Sequence, residues 1–188
     1  MPPANTRALS ESSDAVGLIV ALLVRFPEIA TVLAHPVEGT LDFSFVVNAK
    51  IDTEGKRLVR NLATEHVHAL LDLAGEPHDV LEVTAETAER VTFIHVLRDA
   101  RTMTREELVL LTALLAEHFG PKLMKSPSPD ESIDEDPAAQ DELVDYALEA
   151  LRDPSQQKSL VGFREEKRVL VYFLTARKNK KAKARARS

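Results

Sequence analysis

The chain contains no cysteine, and this absence alone excludes several kinds of chemistry. Disulfide bonds, thiolate nucleophiles and cysteine-based zinc sites all require that residue. Only six glycines are present, and they do not cluster. A dinucleotide or phosphate loop needs closely spaced glycines, and the Gly-x-Ser-x-Gly turn of serine hydrolases is also missing. We therefore predict no catalytic residue and no cofactor.

Long apolar runs are also missing. The longest one, residues 15–24, is too short for a transmembrane helix, which needs about 20 residues. Residues 1–14 lack the basic start and the small-residue cleavage site of a signal peptide. We therefore expect a soluble, cytoplasmic protein without a transmembrane segment.

The composition is that of an ordinary globular protein. Hydrophobic residues make up 44% of the 188 residues and charged residues 29%, enough apolar material to bury a core in one domain. The expected organisation has a core domain with smaller segments before and after it. The predicted segments are a disordered N-terminus (1–9), an α+β core (10–122), an acidic Ser/Pro linker (123–136), a helix–hairpin (137–176) and a basic tail (177–188).

Charge is distributed unevenly along the chain. Residues 130–143 hold seven acidic groups and no basic one, whereas the tail holds seven basic groups and no acidic one. Without the tail's charges, the formal net charge changes from −6 to −13. The basic residues of the tail are Arg177, Lys178, Lys180, Lys181, Lys183, Arg185 and Arg187.

The best-specified local structure is a strand followed by a helix. Residues 91–97 are rich in the β-branched and aromatic types that favour a strand. Thr104 and Glu107 form the capping-box pattern of a helix start, and the helix is expected over 105–119. Gly120 followed by proline predicts its end. One face of this helix collects Leu108, Leu111, Leu115 and Phe119.

Earlier in the chain, periodicity predicts two helices and a hairpin. A helix over 13–25 is apolar nearly all round, which is typical of a core helix. The alternative is a dimer contact, in which Gly17 and Ala21 allow close approach. Strands are expected at 29–35 and 40–49, the second alternating Leu41, Phe43, Phe45 and Val47 with more polar residues.

A second helix is predicted over 54–74, capped by Asp52 or Thr53 and ended by Gly75. Its apolar face is predicted from helical spacing. That face comprises Val59, Leu62, His66, Leu70 and Leu73. A second hairpin, ending with the strand at 91–97, completes a pattern of hairpin, helix, hairpin, helix.

After the linker, a short helix is predicted over 137–152, with Asp136 as its cap. A last hairpin follows at 159–164 and 168–174. Its second strand is apolar on both faces, so we expect it to be covered. The hairpin is expected either to extend the main sheet or to pair with its equivalent in a second chain. The predicted fold class is α+β: a mainly antiparallel sheet of two hairpins plus the C-terminal hairpin, backed by helices, with a disordered basic tail.

The six histidines do not have the spacing of a metal site. His66 is expected to pack on the apolar face of its helix. The acidic run 130–136 lacks the alternating aspartates and glycine of a calcium loop. No metal site is therefore predicted.

The strongest candidate site lies where the strand at 91–97 gives way to its helix. Arg98 and Arg101 flank Asp99, and helix N-terminal amides follow. Two guanidinium groups beside such amides predict weak anion binding, with surface ion pairing as the alternative. His95 is included because it is expected to be half-buried, either with a polar partner or in a ligand pocket.

The basic tail allows three interpretations. It could neutralise phosphates of nucleic acid or the ribosome, lie on an anionic membrane surface, or fold back on the acidic linker. The acidic body opposes nucleic acid except through the tail, and it lacks an aromatic RNA-binding motif.

The leading functional hypothesis is a non-enzymatic protein-interaction module, either a homodimer or an adaptor, because the first helix and the last strand expose apolar surface that needs cover. The alternative is a nucleic-acid- or ribosome-associated factor that works through 177–188. A third hypothesis, an enzyme with a site near His95 and Arg98, remains open because sequence reading misses sites that assemble in space.

Overall fold

A computed structural model describes four stretches of the chain, residues 16–126, 136–152, 158–165 and 168–174. The helices in these stretches are α1 (16–25), α2 (Thr53–Ala74), α3 (Arg105–Phe119), a short 3-10 turn (Gly120–Lys122) and α4 (Pro137–Leu151). The strands are β1 (Ile29–His35), β2 (Thr40–Val47), β3 (Leu81–Ala88), β4 (Val91–Asp99), β5 (Ser159–Glu165) and β6 (Arg168–Leu174). The predicted N-terminal disorder, most of the acidic linker and the basic tail lie outside the described residues.

The six strands form one sheet in the order β3-β4-β2-β1-β5-β6, and every neighbouring pair is antiparallel. The predicted α+β class and antiparallel sheet are confirmed. The C-terminal hairpin extends this sheet, because β5 pairs with β1. The hairpin thus joins the main sheet through β5, and β6 lies at the edge of that sheet.

One hydrophobic core lies between the sheet and the helices. The predicted inward residues of β2 are all buried and belong to the same cluster as the apolar residues of all four helices. In α1 the buried side chains are Leu18, Ile19, Leu22 and Leu23, so this helix has the predicted core position. Gly17 on the same helix is exposed, with no atom within 4 Å of where a Cβ would lie.

α1 lies very close to β5. A Cβ built on Gly162 would lie 2.1 Å from Cγ2 of Ile19 and 3.2 Å from a methyl group of Leu23. No side chain larger than hydrogen fits there unless Ile19 shifts. Gly162 therefore allows α1 to pack flat on the sheet.

The prediction for α2 placed its end correctly and its start one residue too late, and the predicted buried face was wrong. The buried residues of α2 are Val59, Ala63, Val67 and Leu71. His66 is exposed, and its Nδ1 lies 2.8 Å from the carbonyl oxygen of Leu62, so the prediction that it packs in the core is wrong. Leu73 is 88% exposed. The sequence of α2 has two overlapping apolar stripes. The contacts of α2 with β3 and α3 bury the stripe that contains the small residue Ala63.

The side of the sheet opposite the core carries no helix among the described residues, and we call it the open face. Its side chains alternate with the buried ones, and most are half-buried. The residues of the open face include Thr31, Leu33, Asp42, Ser44, Val46, Glu82, Thr84, Glu86, Phe93, His95, Leu97, Val161, Phe163, Leu170 and Tyr172. No helix in the described parts of the chain is both long and apolar enough to cross a membrane.

Candidate functional site

The alternation of β4 determines where the predicted site residues lie. Thr92, Ile94, Val96 and Arg98 point to the core, so Arg98 enters a layer in which most side chains are apolar. Its side chain has no exposed surface. A charge in that position needs partners because burial removes its hydration.

Arg98 has those partners within the protein. Its Nε donates to Oε2 of Glu107 at 2.8 Å, and its Nη2 donates to the other oxygen of the same carboxylate at 3.0 Å. Nη2 also donates to the hydroxyl of Thr102, and Nη1 donates to the carbonyl oxygen of Val80 and to Asp99. All three guanidinium nitrogens are engaged, so no donor is left for an external anion.

Asp99 joins this network to the loop before β3. Its Oδ1 accepts the backbone N–H groups of Asp79 and Val80, each at 3.1 Å. Burial of the carboxyl disfavours its charge, but hydrogen bonds from Thr102 and Val80 and the charge of Arg98 outweigh this and hold the pKa of Asp99 well below its ordinary value. Asp99 is therefore a structural anion.

Glu107 serves two purposes. The capping box predicted from the sequence is present: the Thr104 hydroxyl accepts the N–H of Glu107, and the Glu107 carboxylate accepts the N–H of Thr104. The same carboxylate holds Arg98, and the Glu107 side chain is completely buried. The start of α3 is thus fixed to the end of β4 by a buried ion pair as well as by a cap.

The other two predicted site residues lie elsewhere. Arg101 is exposed and donates to Asp79 at 2.7 Å. His95 projects from the open face, on the opposite side of the sheet from Arg98. No pocket can join His95 to Arg98 across the sheet. Anion binding by His95, Arg98, Asp99 and Arg101 stays a prediction, and the geometry gives it no support.

His95 lies beside a shallow depression of about 360 Å³ on the open face. Its Nδ1 is 3.5 Å from Oδ1 of Asp42, and that oxygen is buried without a hydrogen-bond partner. Burial raises the pKa of the Asp42 carboxyl, and the nearby His95 offsets this only in part. Glu82 and Glu86 of β3 line the same depression. These three acids were not predicted as site residues from the sequence. The alternation along β2 does place Asp42 on the face of the strand opposite to its buried neighbours.

Two histidine side chains of the described structure, His68 and His78, lie next to each other. Nε2 of His68 in α2 lies 3.1 Å from Nε2 of His78, which precedes β3. Within the described stretches, no three histidine, aspartate or glutamate side chains lie close enough together to hold a metal ion.

β6 is the most exposed apolar element in the described structure. Tyr172 is 52% exposed, and Phe173 and Leu174 are each 41% exposed. The strand lies at the edge of the sheet, so one row of its backbone groups has no partner strand among the described residues. The opposite edge, β3, carries Glu82 and Glu86 instead. The sequence predicted the apolar character of β6 but not its place at an edge.

Comparison with protein-family models, with curated proteins and with solved structures finds no match to this chain. The site must therefore be judged from its own geometry. Nucleic-acid contact through Arg177 to Arg187 falls outside the described residues and stays a prediction.

Proposed function

We propose that the protein is a non-enzymatic interaction module that self-associates through β6 as a homodimer. The observation that carries this proposal is an edge strand whose residues 169–174 are all apolar or aromatic. Exposed apolar edge strands promote pairing with another strand, and proteins usually block such edges with charge, proline or a covering element. β6 has charge only at Arg168, at its first residue.

Pairing with a second copy suits the sequence of β6. A two-fold axis perpendicular to the sheet makes the two β6 strands antiparallel and keeps both helix layers on the same side. An axis through Val171, the middle residue, pairs all seven residues of the strand. Leu170 then lies opposite Tyr172 of the second copy, and Val169 lies opposite Phe173. Apolar cross-strand pairs of this kind each contribute about 0.2–1 kcal/mol.

The open face adds apolar surface next to this edge. Phe163 of β5 stacks on Tyr172 of β6, with ring centroids 5.9 Å apart and planes inclined by 22°. The aromatic pair stiffens the strand at its exposed side and leaves Tyr172 available to a neighbour.

We place the protein in the cytoplasm, because it cannot use the disulfides on which many small secreted domains depend.

Light scattering after size-exclusion chromatography tests the proposal. The full chain is expected to have twice the mass of one chain, and Tyr172→Lys is expected to shift it to a monomer, because a charge on an edge strand opposes pairing. The matched control is Tyr146→Lys, which changes the other tyrosine of the chain, 63% exposed on α4. This control should remain a dimer.

Two results would overturn the proposal. The first is a monomeric full chain at all concentrations that allow the measurement. The second is dissociation by Tyr146→Lys with no effect of Tyr172→Lys, which would place the contact on α4, where Leu143 is also exposed. Circular dichroism of each variant checks that the fold is retained.

A further inference from the structure

We propose that the basic segment 177–188 docks on the open face of its own chain, across the acidic group formed by Asp42, Glu82 and Glu86. This inference does not depend on β6 pairing. It rests on an uncovered sheet face, on the charges of the two surfaces and on the place where the described chain ends.

The open face offers unbalanced negative charge. Glu82 and Glu86 are exposed and make no ion pair with any described residue. The charge of Asp42 is favoured by the neighbouring histidines His95 and His35, and Nδ1 of His95 lies 3.5 Å from Oδ1 of Asp42. A lysine or arginine side chain entering the depression between these residues supplies a compensating charge for the carboxylates that line it. Leu97 forms an apolar part of the wall and suits the methylene stem of such a side chain.

The strand register shows where the tail begins relative to this site. Leu174 pairs with Ser159 in the same row of the sheet as His35, Thr40 and Asp99. Two residues further into the sheet, the row on the open face contains Tyr172, Val161, Leu33, Asp42, Leu97 and Glu82. The chain therefore leaves β6 at the end of the sheet that lies nearest to Asp42 and Glu82.

The tail is long enough to reach both residues. Asp42 is three strands from β6, and Glu82 is five strands away. At a strand spacing of about 4.8 Å, these steps correspond to about 14 Å and about 24 Å. Residues 175–188 span up to about 46 Å when extended, at about 3.3 Å per residue. Lys180 to Arg187 can thus lie over the acidic group while Thr175 to Arg177 cross β5 and β1.

The tail contains no acidic residue, so nothing within it competes for its seven positive charges. The competing partner is the acidic run 130–136, most of which lies outside the described residues. The three carboxylates of the open face are held by neighbouring strands. Because their positions are preformed, binding to them costs the open face little conformational entropy.

A spin label distinguishes these partners. The chain has no cysteine, so Ala182→Cys gives one labelling position in the tail of the full-length protein. In NMR spectra recorded at low salt, the amide signals of Glu82, Thr84 and His95 are expected to lose most of their intensity, because the spin label lies near them. They should recover in about 1 M salt, where the Debye length falls to about 3 Å. Glu82→Lys should abolish the loss, whereas Glu117→Lys, a matched exposed glutamate on α3, should not.

Three results would overturn the inference. One is signal loss at 130–136 and the start of α4 instead of the open face. Another is loss that Glu82→Lys leaves unchanged. The third uses a mixture of spin-labelled chains and isotope-labelled chains that carry no spin label. Loss of signal intensity in the isotope-labelled chains would mean that the tail reaches a second copy.

Discussion

Arg98 and Glu107 form a bidentate ion pair from which solvent is excluded, with both nitrogen–oxygen distances at or below 3.0 Å and neither side chain exposed. The pair links the end of β4 to the first turn of α3. Removing one partner of a buried pair leaves the other charged and unpaired.

Replacing Arg98 tests how much this link stabilises the fold. Arg98→Met fills a similar volume but leaves Glu107 and Asp99 buried without their cation. We expect the free energy of unfolding to fall by about 3–5 kcal/mol, measured by urea denaturation followed by circular dichroism. Arg101→Met is the control, because it breaks only an exposed pair with Asp79 and should cost no more than about 1 kcal/mol. Equal losses in the two variants would contradict the structural role.

The lowered pKa of Asp99 predicts a pH dependence of stability. Its folded-state pKa lies below the ordinary value of 3.8, so its contribution is fully present above that pH. The contribution is lost as the pH falls from 3.8 towards the folded-state pKa. Asp99→Asn should therefore be clearly less stable than the unaltered chain at pH 7, and the difference should shrink below about pH 4.

Denaturant unfolding at both pH values measures this difference. Asp79→Asn is the comparison, because its carboxylate is exposed and bonds only an exposed arginine. A stability difference for Asp99→Asn that does not change with pH would show that the charge of Asp99 is not what stabilises the junction.

Gly162→Ala tests the close packing of α1 on β5. The added methyl group would collide with Cγ2 of Ile19, so we expect a loss of about 1–3 kcal/mol from overpacking. Ile19→Leu moves the branch away from Cβ and should recover part of this loss in the double variant. Gly17→Ala is the control: it meets no atom and should be neutral or slightly stabilising. A tolerated Gly162→Ala would mean that α1 does not lie this close to the sheet.

The absence of cysteine makes it possible to test the proposed two-fold axis in β6. Single cysteines introduced at 169–174 should form an intermolecular disulfide fastest at Val171, because a residue on the axis lies opposite itself. Opposed residues in antiparallel strands are about 4.5–5.5 Å apart between Cα atoms, within the range a disulfide accepts. Val37→Cys, on the exposed turn after β1, should cross-link slowly. Equal rates at all positions would argue against strand pairing.

Local signals in the sequence were enough to predict most elements. The bounds of β1, α3 and β6 agree with the predictions, because caps, alternation and turn residues act over a few positions. The face of α2 was wrong because its choice depends on contacts with β3 and α3, which are distant in sequence. The order of the strands depends on the same long-range contacts, and no local pattern specifies it.

The candidate site shows the same limit. Glu107 could be assigned to a cap from its spacing to Thr104, but its second role requires Arg98 to point inwards. That direction follows from the register of β4 against β2. Surface pairing was expected of Arg98, whereas the structure buries it. The grouping of Asp42 with Glu82 and Glu86 is equally non-local, since two strands from different hairpins must lie on either side of β4.

A sheet with one apolar edge and one acidic edge can grow in one direction only. In the proposed dimer, pairing across β6 would cover the apolar edge of both chains, and the remaining edges would be two copies of β3, each bearing Glu82 and Glu86. Like charges facing each other across such an edge repel, so a third chain gains little by joining. If the chain pairs through β6 as proposed, the charge pattern of β3 would limit the assembly to two chains and oppose open-ended fibres.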